Sequence, residues 1–207
     1  MKRTRTSKGW MQEHLNDEFV KRAQRDGYRA RAAYKLMEID DKDKLIKPGM
    51  TIVDLGSTPG SWSQVAVQRL KGQGHIIALD LLEMAPIPGV DFIQGDFREE
   101  SVLAKLEEKL KGKKIDLVIA DMAPNISGIS SVDQPNAAYL TELALDFSLQ
   151  WLKPGGNFLV KVFIGTGFEE IVRDMRGGFE KVVTRKPKAS RDRSSEVYLL
   201  GMHRNLE

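Results

Sequence analysis

The segment Thr51-Ile-Val-Asp-Leu-Gly-Ser-Thr-Pro-Gly-Ser-Trp62 constrains the fold of this chain more than any other. A short apolar run reaches an acid, a glycine loop turns the chain, and an amphipathic pattern begins. That is the first turn of a βαβ unit, the place where open α/β sheets bind their ligands. The loop departs from G-x-G-x-x-G, and Pro59 removes one backbone N–H from it. A pyrophosphate needs free N–H donors at the helix start, so NAD, FAD and ATP fit poorly. A nucleoside without phosphates, such as S-adenosylmethionine, fits better.

Strands and helices alternate after the turn at Lys47-Pro-Gly-Met50. The pattern predicts strands near 51–55, 75–80, 90–93, 115–120, 157–163, 180–186 and 196–202, with helices near 61–71, 99–111, 135–152 and 167–177. Lys153-Pro-Gly-Gly156 should stop the long helix sharply. Such alternation implies an α/β protein with a mostly parallel seven-stranded sheet and helices on both faces. The last two strands have no helix between them, which predicts an antiparallel hairpin. Upstream, residues 1–9 are small, polar and basic and read as disordered. Residues 10–39 read as helical, with Tyr28, Arg31, Ala32, Lys35 and Leu36 at three-to-four spacing. The expected organisation is a basic N-terminal extension over 1–30 and one domain over 31–207.

Charge is unevenly distributed. Residues 1–35 hold ten Lys/Arg against four Asp/Glu, and residues 181–207 hold seven against three. The stretch between them carries a net −7. Basic ends attract phosphates, while an acidic centre suits a cationic cofactor. The chain has no cysteine, which excludes a disulfide scaffold and a Cys-based zinc site. His14, His75 and His203 stand alone without ligand spacing, so no metal is expected. No apolar stretch has membrane-spanning length, and the charged start has no apolar core behind it. A cytoplasmic protein with no membrane partner is expected, and nothing calls for more than a monomer.

Acids close successive strands. Asp80 ends Ile76-Ile-Ala-Leu-Asp80, twenty-four positions after Gly56, near the spacing at which α/β folds bind ribose hydroxyls. Asp96 and Phe97 follow the third strand, where a carboxylate and a ring can hold an adenine. Asp121 ends the fourth. Lys161 is the oddest residue, set inside Phe158-Leu-Val-Lys-Val-Phe163. A buried ammonium is costly, so such a lysine is paired, partly neutral or functional, and Asp121 on the adjacent strand is its natural partner. Pyrimidine C5 methylation usually needs a cysteine nucleophile, and this chain has none. The loop Asp121-Met-Ala-Pro-Asn125 lacks the Asn/Asp-Pro-Pro-aromatic form used on exocyclic amines. A lysine beside a carboxylate suits a poorly acidic hydroxyl instead.

These motifs carry a family resemblance that runs from Trp10 to about Met202. Trp10-Met-Gln-Glu-His-Leu, Gly27-Tyr-Arg-Ala-Arg-Ala-Ala-Tyr-Lys35, Val90-Asp-Phe-Ile-Gln-Gly-Asp-Phe-Arg98, Leu159-Val-Lys-Val-Phe163 and Ser190-Arg-Asp-Arg-Ser-Ser-Glu-Val-Tyr198 are its main blocks. The chain resembles the FtsJ/RrmJ family of RNA 2′-O-methyltransferases, and most of all its short bacterial members. The resemblance implies a Rossmann-like class I methyltransferase fold and S-adenosylmethionine as cofactor. It also implies a uridine ribose in the A-loop of 23S rRNA, within the large ribosomal subunit, as target. It places a Lys-Asp-Lys-Glu tetrad on Lys35, Asp121, Lys161 and Glu196, with Lys161 as proton acceptor. Lys35 would bias Lys161 by its charge, and Glu196 would position one of the lysines. Cofactor contacts fall on Gly60, Trp62, Asp80, Asp96 and Asp121, with Gly56, Pro59 and Phe97 in the wall.

Arg29, Arg31, Lys188, Arg191 and Arg193, from the two basic ends, would grip the RNA backbone. The loop here reads Gly56-Ser-Thr-Pro-Gly-Ser-Trp62 where bacterial relatives typically have Gly-Ala-Ala-Pro-Gly-Gly-Trp, and Ile164 stands where glutamine is frequent. Two rivals remain open on sequence: a 2′-O-methyltransferase of tRNA or an mRNA cap, and a non-catalytic RNA-binding assembly factor. A nicotinamide oxidoreductase is disfavoured by the loop and by Lys161.

Overall fold

The computed structural model describes residues 5–124 and 127–205. Residues 1–4 of the stretch read as disordered, and Asn125 of the Asp121 loop, lie outside that range. Seven strands form one sheet: β1 (Thr51–Leu55), β2 (His75–Asp80), β3 (Val90–Gln94), β4 (Ile115–Ala120), β5 (Leu152–Phe163), β6 (Phe179–Arg185) and β7 (Glu196–Arg204). Their order is β3-β2-β1-β4-β5-β7-β6. The first five pair in parallel, while β7 runs antiparallel to both neighbours, β5 and β6. The expected hairpin therefore exists, and its returning strand is inserted between β5 and β6.

Alternation along the strands sends side chains to two separate cores. Val53, Leu55, Ile77, Leu79, Val118 and Val160 join one cluster. It is covered by α5 (Glu100–Leu110), α6 (Ser130–Trp151) and α7 (Phe168–Gly178), through Leu106, Phe147 and Met175 among others. Ile52, Ile76, Leu117, Ile119 and Leu159 point the other way, toward α3 (Ala33–Asp43) and α4 (Ser61–Leu70). A sheet covered on both faces leaves its strand ends as the free working surface. Among the described residues no helix is long and apolar enough to cross a membrane.

Three expectations need correction. The continuous helix over 10–39 is three helices: α1 (Arg5–Asn16), α2 (Glu18–Asp26) and α3. Asp17 opens α2 by accepting hydrogen bonds from the N–H groups of Phe19 (2.9 Å) and Val20 (3.4 Å), a standard N-cap. Gly27 closes it at φ +82°, the left-handed turn that glycine adopts without strain. Helical spacing survives these breaks, so periodicity alone misses them. The chain is also helical from Arg5, inside the stretch read as disordered.

Third, α6 begins at Ser130 rather than 135, with Pro135 inside the helix. Asp133 makes the earlier start possible: its carboxylate accepts from the N–H groups of Ser127 (2.8 Å) and Gly128 (2.9 Å), fixing the preceding turn. The helix does end before Lys153-Pro-Gly-Gly156, as expected. Leu152 then already pairs with Ile115, and four residues bulge out before Asn157 meets Leu117.

Gly201 on β7 tests how tightly the antiparallel insertion is packed. A Cβ there would lie 2.7 Å from the Phe179 ring and 3.1 Å from the Met175 methyl. Gly201→Ala should cost about 1–3 kcal/mol through overpacking, read as a lower melting temperature. An unchanged melting temperature would mean the β6–β7 layer yields freely.

Candidate active site

The C-terminal ends of β1, β2, β4 and β5 and the N-terminal end of β7 converge. Lys161 is in register with Tyr198, and Phe163 with Glu196, because β5 and β7 are antiparallel. The Lys161 Nζ lies 3.3 Å from Asp121 Oδ1, with its side chain 9% exposed. The adjacency of β4 and β5 produces that contact directly. Lys35 reaches in from α3, and its Nζ donates to Glu196 Oε1 at 2.6 Å. Both members of this second pair are buried. The four residues of the expected tetrad thus come together, and Glu196 holds Lys35 rather than Lys161.

Tyr198 joins the two pairs. Its hydroxyl donates to Asp121 Oδ1 at 2.9 Å and lies 3.3 Å from Glu196 Oε1. Ser190 Oγ donates to the same Glu196 oxygen at 3.1 Å. Sequence reasoning singled out neither residue for the site. Period-two alternation on β7 could have found Tyr198, since it shares a face with Glu196. Burial opposes ionisation of Glu196, but the Lys35 ammonium, helped by Lys161 and Ser190, holds its carboxyl below the usual range. Burial, together with the Asp121 and Glu196 carboxylates, pushes the Tyr198 phenol well above its ordinary value. Tyr198 is therefore a neutral hydrogen-bond donor, and the unit is two ion pairs linked through a phenol.

Beside this unit lies a cleft of about 410 Å³, lined by Gly56, Thr58, Asp80, Leu82, Asp96, Phe97, Asp121 and residues of α6. Its size suits a nucleoside-sized ligand. Asp80 anchors two loops at once, accepting the Thr58 N–H on Oδ2 and the Leu82 N–H on Oδ1, each at 2.8 Å. Asp96 is held by Arg98, which lowers its acidity range by direct hydrogen bonding. Arg98 also reaches the Tyr139 hydroxyl of α6 at 3.3 Å. Phe97 stands edge-on against Phe147, with ring centres 5.7 Å apart.

A smaller recess of about 50 Å³ adjoins the cleft and shares Gly56, Thr58 and Asp121 with it. Pro59 and Trp62 border this recess, where the Trp62 indole donates to the Ala32 carbonyl at 2.8 Å. Gly60 sits at φ +113°, and a Cβ there would meet Ile87 at 2.7 Å. At Gly56 a Cβ would come within 2.2 Å of Met122 Cγ. The loop is thus glycine at both points where its neighbours press closest. Ser57 Oγ, buried beside the recess, has no hydrogen-bond partner among the described residues.

The basic residues expected on the RNA divide into two groups. Lys188 and Arg193 are exposed, the latter touching Glu13. Arg191 and Arg31 both pair with Asp17, at 3.3 and 3.1 Å, and Arg31 also donates to the Ala189 carbonyl. Arg29 binds three backbone carbonyls of the protein itself.

The FtsJ-like methyltransferase family matches residues 28–204, which include the whole sheet and helices α3 to α7. This chain belongs to the FtsJ-like methyltransferase family. It is 81% identical over 204 residues to the ribosomal RNA large subunit methyltransferase E of Methylobacillus flagellatus, covering 99% of each chain. It is 65% identical to the protein of that name from Nitrosospira multiformis, covering 98% of each. Among solved structures, the crystal structure of a ribosomal RNA methyltransferase from Plasmodium falciparum is similar at a TM-score of 0.78 and 37% identity. That match covers 87% of this chain and 100% of the other.

Asp54 adds a pH dependence. It is fully buried under the glycine loop, where burial together with the Asp121 and Asp80 charges raises its carboxyl from 3.8 to about 7, against a hydrogen bond from Ser63. The folded value exceeds the unfolded one, so its contribution to stability is complete below about pH 4 and is lost as pH rises through 7. Wild-type protein should therefore lose up to roughly 4 kcal/mol from this group across that range. Asp54→Asn should flatten that part of the stability profile in thermal melts from pH 4 to 7. Parallel profiles for the two proteins would show that Asp54 ionises without cost.

Proposed function

We propose that this protein methylates the ribose 2′-hydroxyl of a uridine in the A-loop of 23S rRNA, within the large ribosomal subunit, using S-adenosylmethionine. The observation that carries this reading is the Lys161–Asp121 pair, a nearly dry amine bound to a carboxylate at the rim of the cleft. When bound, S-adenosylmethionine supplies a sulfonium-borne methyl group for in-line displacement by a ribose oxygen. Asp80 presents oxygens that suit a ribose diol, since each keeps a lone pair after taking one backbone N–H. Asp96 and Phe97 would hold the adenine, and the orphan Ser57 hydroxyl in the glycine-loop recess would meet polar atoms of the methionine part.

Lys161, once its amine has given up its own proton to solvent, receives the proton leaving the 2′-oxygen and becomes an ammonium again beside Asp121. Asp121 orients it, and Tyr198 fixes Asp121 by donating to the same oxygen that faces the amine. Lys35 acts mainly by position here, because Glu196 takes up its charge at 2.6 Å. Lys188 and Arg193, exposed on the loop before Glu196, would bind RNA phosphates, with Arg191 and Arg31 holding that loop to Asp17. RNA rather than DNA follows from the hydroxyl being modified. The relatives named for the ribosomal RNA large subunit are matched along their whole length, which supports that substrate over tRNA or a cap. A monomer working in the cytoplasm is consistent with such a substrate.

Lys161→Ala should reduce methyl transfer to large-subunit RNA by a factor of about 10² or more, while calorimetric binding of S-adenosylmethionine stays within about twofold. Unimpaired turnover would remove Lys161 from the chemistry. Mapping methylated riboses in RNA from a deletion strain checks the target, and loss of a mark outside 23S rRNA would overturn the assignment.

A further inference from the structure

The segment from Gly27 to Ala32, between α2 and α3, lies across the start of α4. Tyr28 donates its hydroxyl to Gln68 at 2.6 Å, and the Arg29 N–H donates to Gln64 Oε1 at 2.9 Å. Gln64 Nε2 returns a bond to the Gly27 carbonyl at 3.1 Å. The Arg29 side chain continues past the helix. Its Nη1 donates to the carbonyls of Pro59 (2.9 Å) and Ala85 (2.6 Å), and its Nη2 donates to that of Pro86 (2.9 Å).

Those three carbonyls belong to two different loops. Pro59 is in the glycine loop, and Ala85 and Pro86 are in the β2–β3 connection that begins at Leu81 and Leu82 in the wall of the cleft. The loops meet closely, since a Cβ on Gly60 would lie 2.7 Å from Ile87, 3.0 Å from Arg29 Nη1 and 3.1 Å from Met84. Carbonyls in such loops have no ladder to bind them. A planar guanidinium has five N–H donors in a fixed fork and can bind several at once, while an ammonium offers its three from one point.

We propose that Arg29 is a positioning residue of the methyl-donor site, clasping the glycine loop to the β2–β3 connection, and is not an RNA contact. Three of its five donors are already engaged within the protein, which leaves little for a phosphate. The same segment leads within one turn of α3 to Lys35, so the clasp sets the donor pocket against the tetrad. The inference rests on the reading of the cleft as the S-adenosylmethionine site.

The test compares wild type, Arg29→Ala and Arg29→Lys by calorimetry with S-adenosylmethionine, by KM for each substrate, and by melting temperature. Arg29→Ala should weaken S-adenosylmethionine binding about tenfold or more and raise its KM in step, with the KM for RNA within twofold. Arg29→Lys should give an intermediate loss. A raised KM for RNA with intact cofactor affinity would overturn the proposal and return Arg29 to the RNA surface. A lowered melting temperature with unchanged affinity would reduce it to a fold contact. Failure of wild type to bind S-adenosylmethionine would instead refute the cofactor reading itself.

Discussion

Two ammonium groups lie nearly out of water at the edge of one sheet, and each needs an anion beside it. Lys161 has Asp121, and Lys35 has Glu196. A desolvated charge left alone costs several kcal/mol, so the sheet edge must deliver both acids accurately. Everything nearby serves that delivery. β4 ends next to β5, β7 is inserted antiparallel so that Glu196 starts beside Phe163, and α3 is laid against the sheet by Leu36 and Ile39. The Tyr198 phenol then ties the two pairs into one unit that cannot be disturbed at one end alone.

This arrangement separates the two tasks of the site. The cleft on the Asp80 side is built from loops after parallel strands, where Asp80 and the glycine loop stabilise each other through the Thr58 N–H. The paired lysines and acids stand instead on the ends of β4, β5 and β7 and on α3, regular elements whose side chains have little freedom. Under the proposed function, this places the reacting group on regular elements and the cofactor on loops, precise where alignment matters and adjustable where binding matters. The substituted glycine loop fits this division. Ser57 brings to the recess a hydroxyl with no partner among the described residues, away from the Lys161–Asp121 and Lys35–Glu196 pairs.

The basic surface reads differently in three dimensions than in sequence. Arginine can serve as an internal carbonyl clasp as readily as a phosphate contact, because both uses depend on the same fork of donors. Arg29 and Arg31 face backbone carbonyls and Asp17, while Arg193 and Lys188 remain exposed. Sequence position and charge cannot tell these apart.

From Thr51 onward, the order of strands and helices, the acids at the strand ends and the pairing of Lys161 with Asp121 were legible in the sequence. Each is a local signal: a buried strand leaves a run of apolar residues, an acid at its end marks the loop, and neighbouring strands bring their ends together. Family resemblance, not residue physics, pointed to Lys35 and Glu196, since a lysine on a helix and a glutamate at a strand end look like surface charges. Tertiary structure decided the rest. Glu196 binds Lys35 across 161 positions of chain, Tyr198 bridges both pairs, and Arg29 turns inward. The breaks at Asp17 and Gly27 were hidden because capping is a matter of single side chains and dihedral angles, which hydrophobic spacing averages away. Long-range partners are chosen by the packing of elements, and that choice leaves no mark on neighbouring residues.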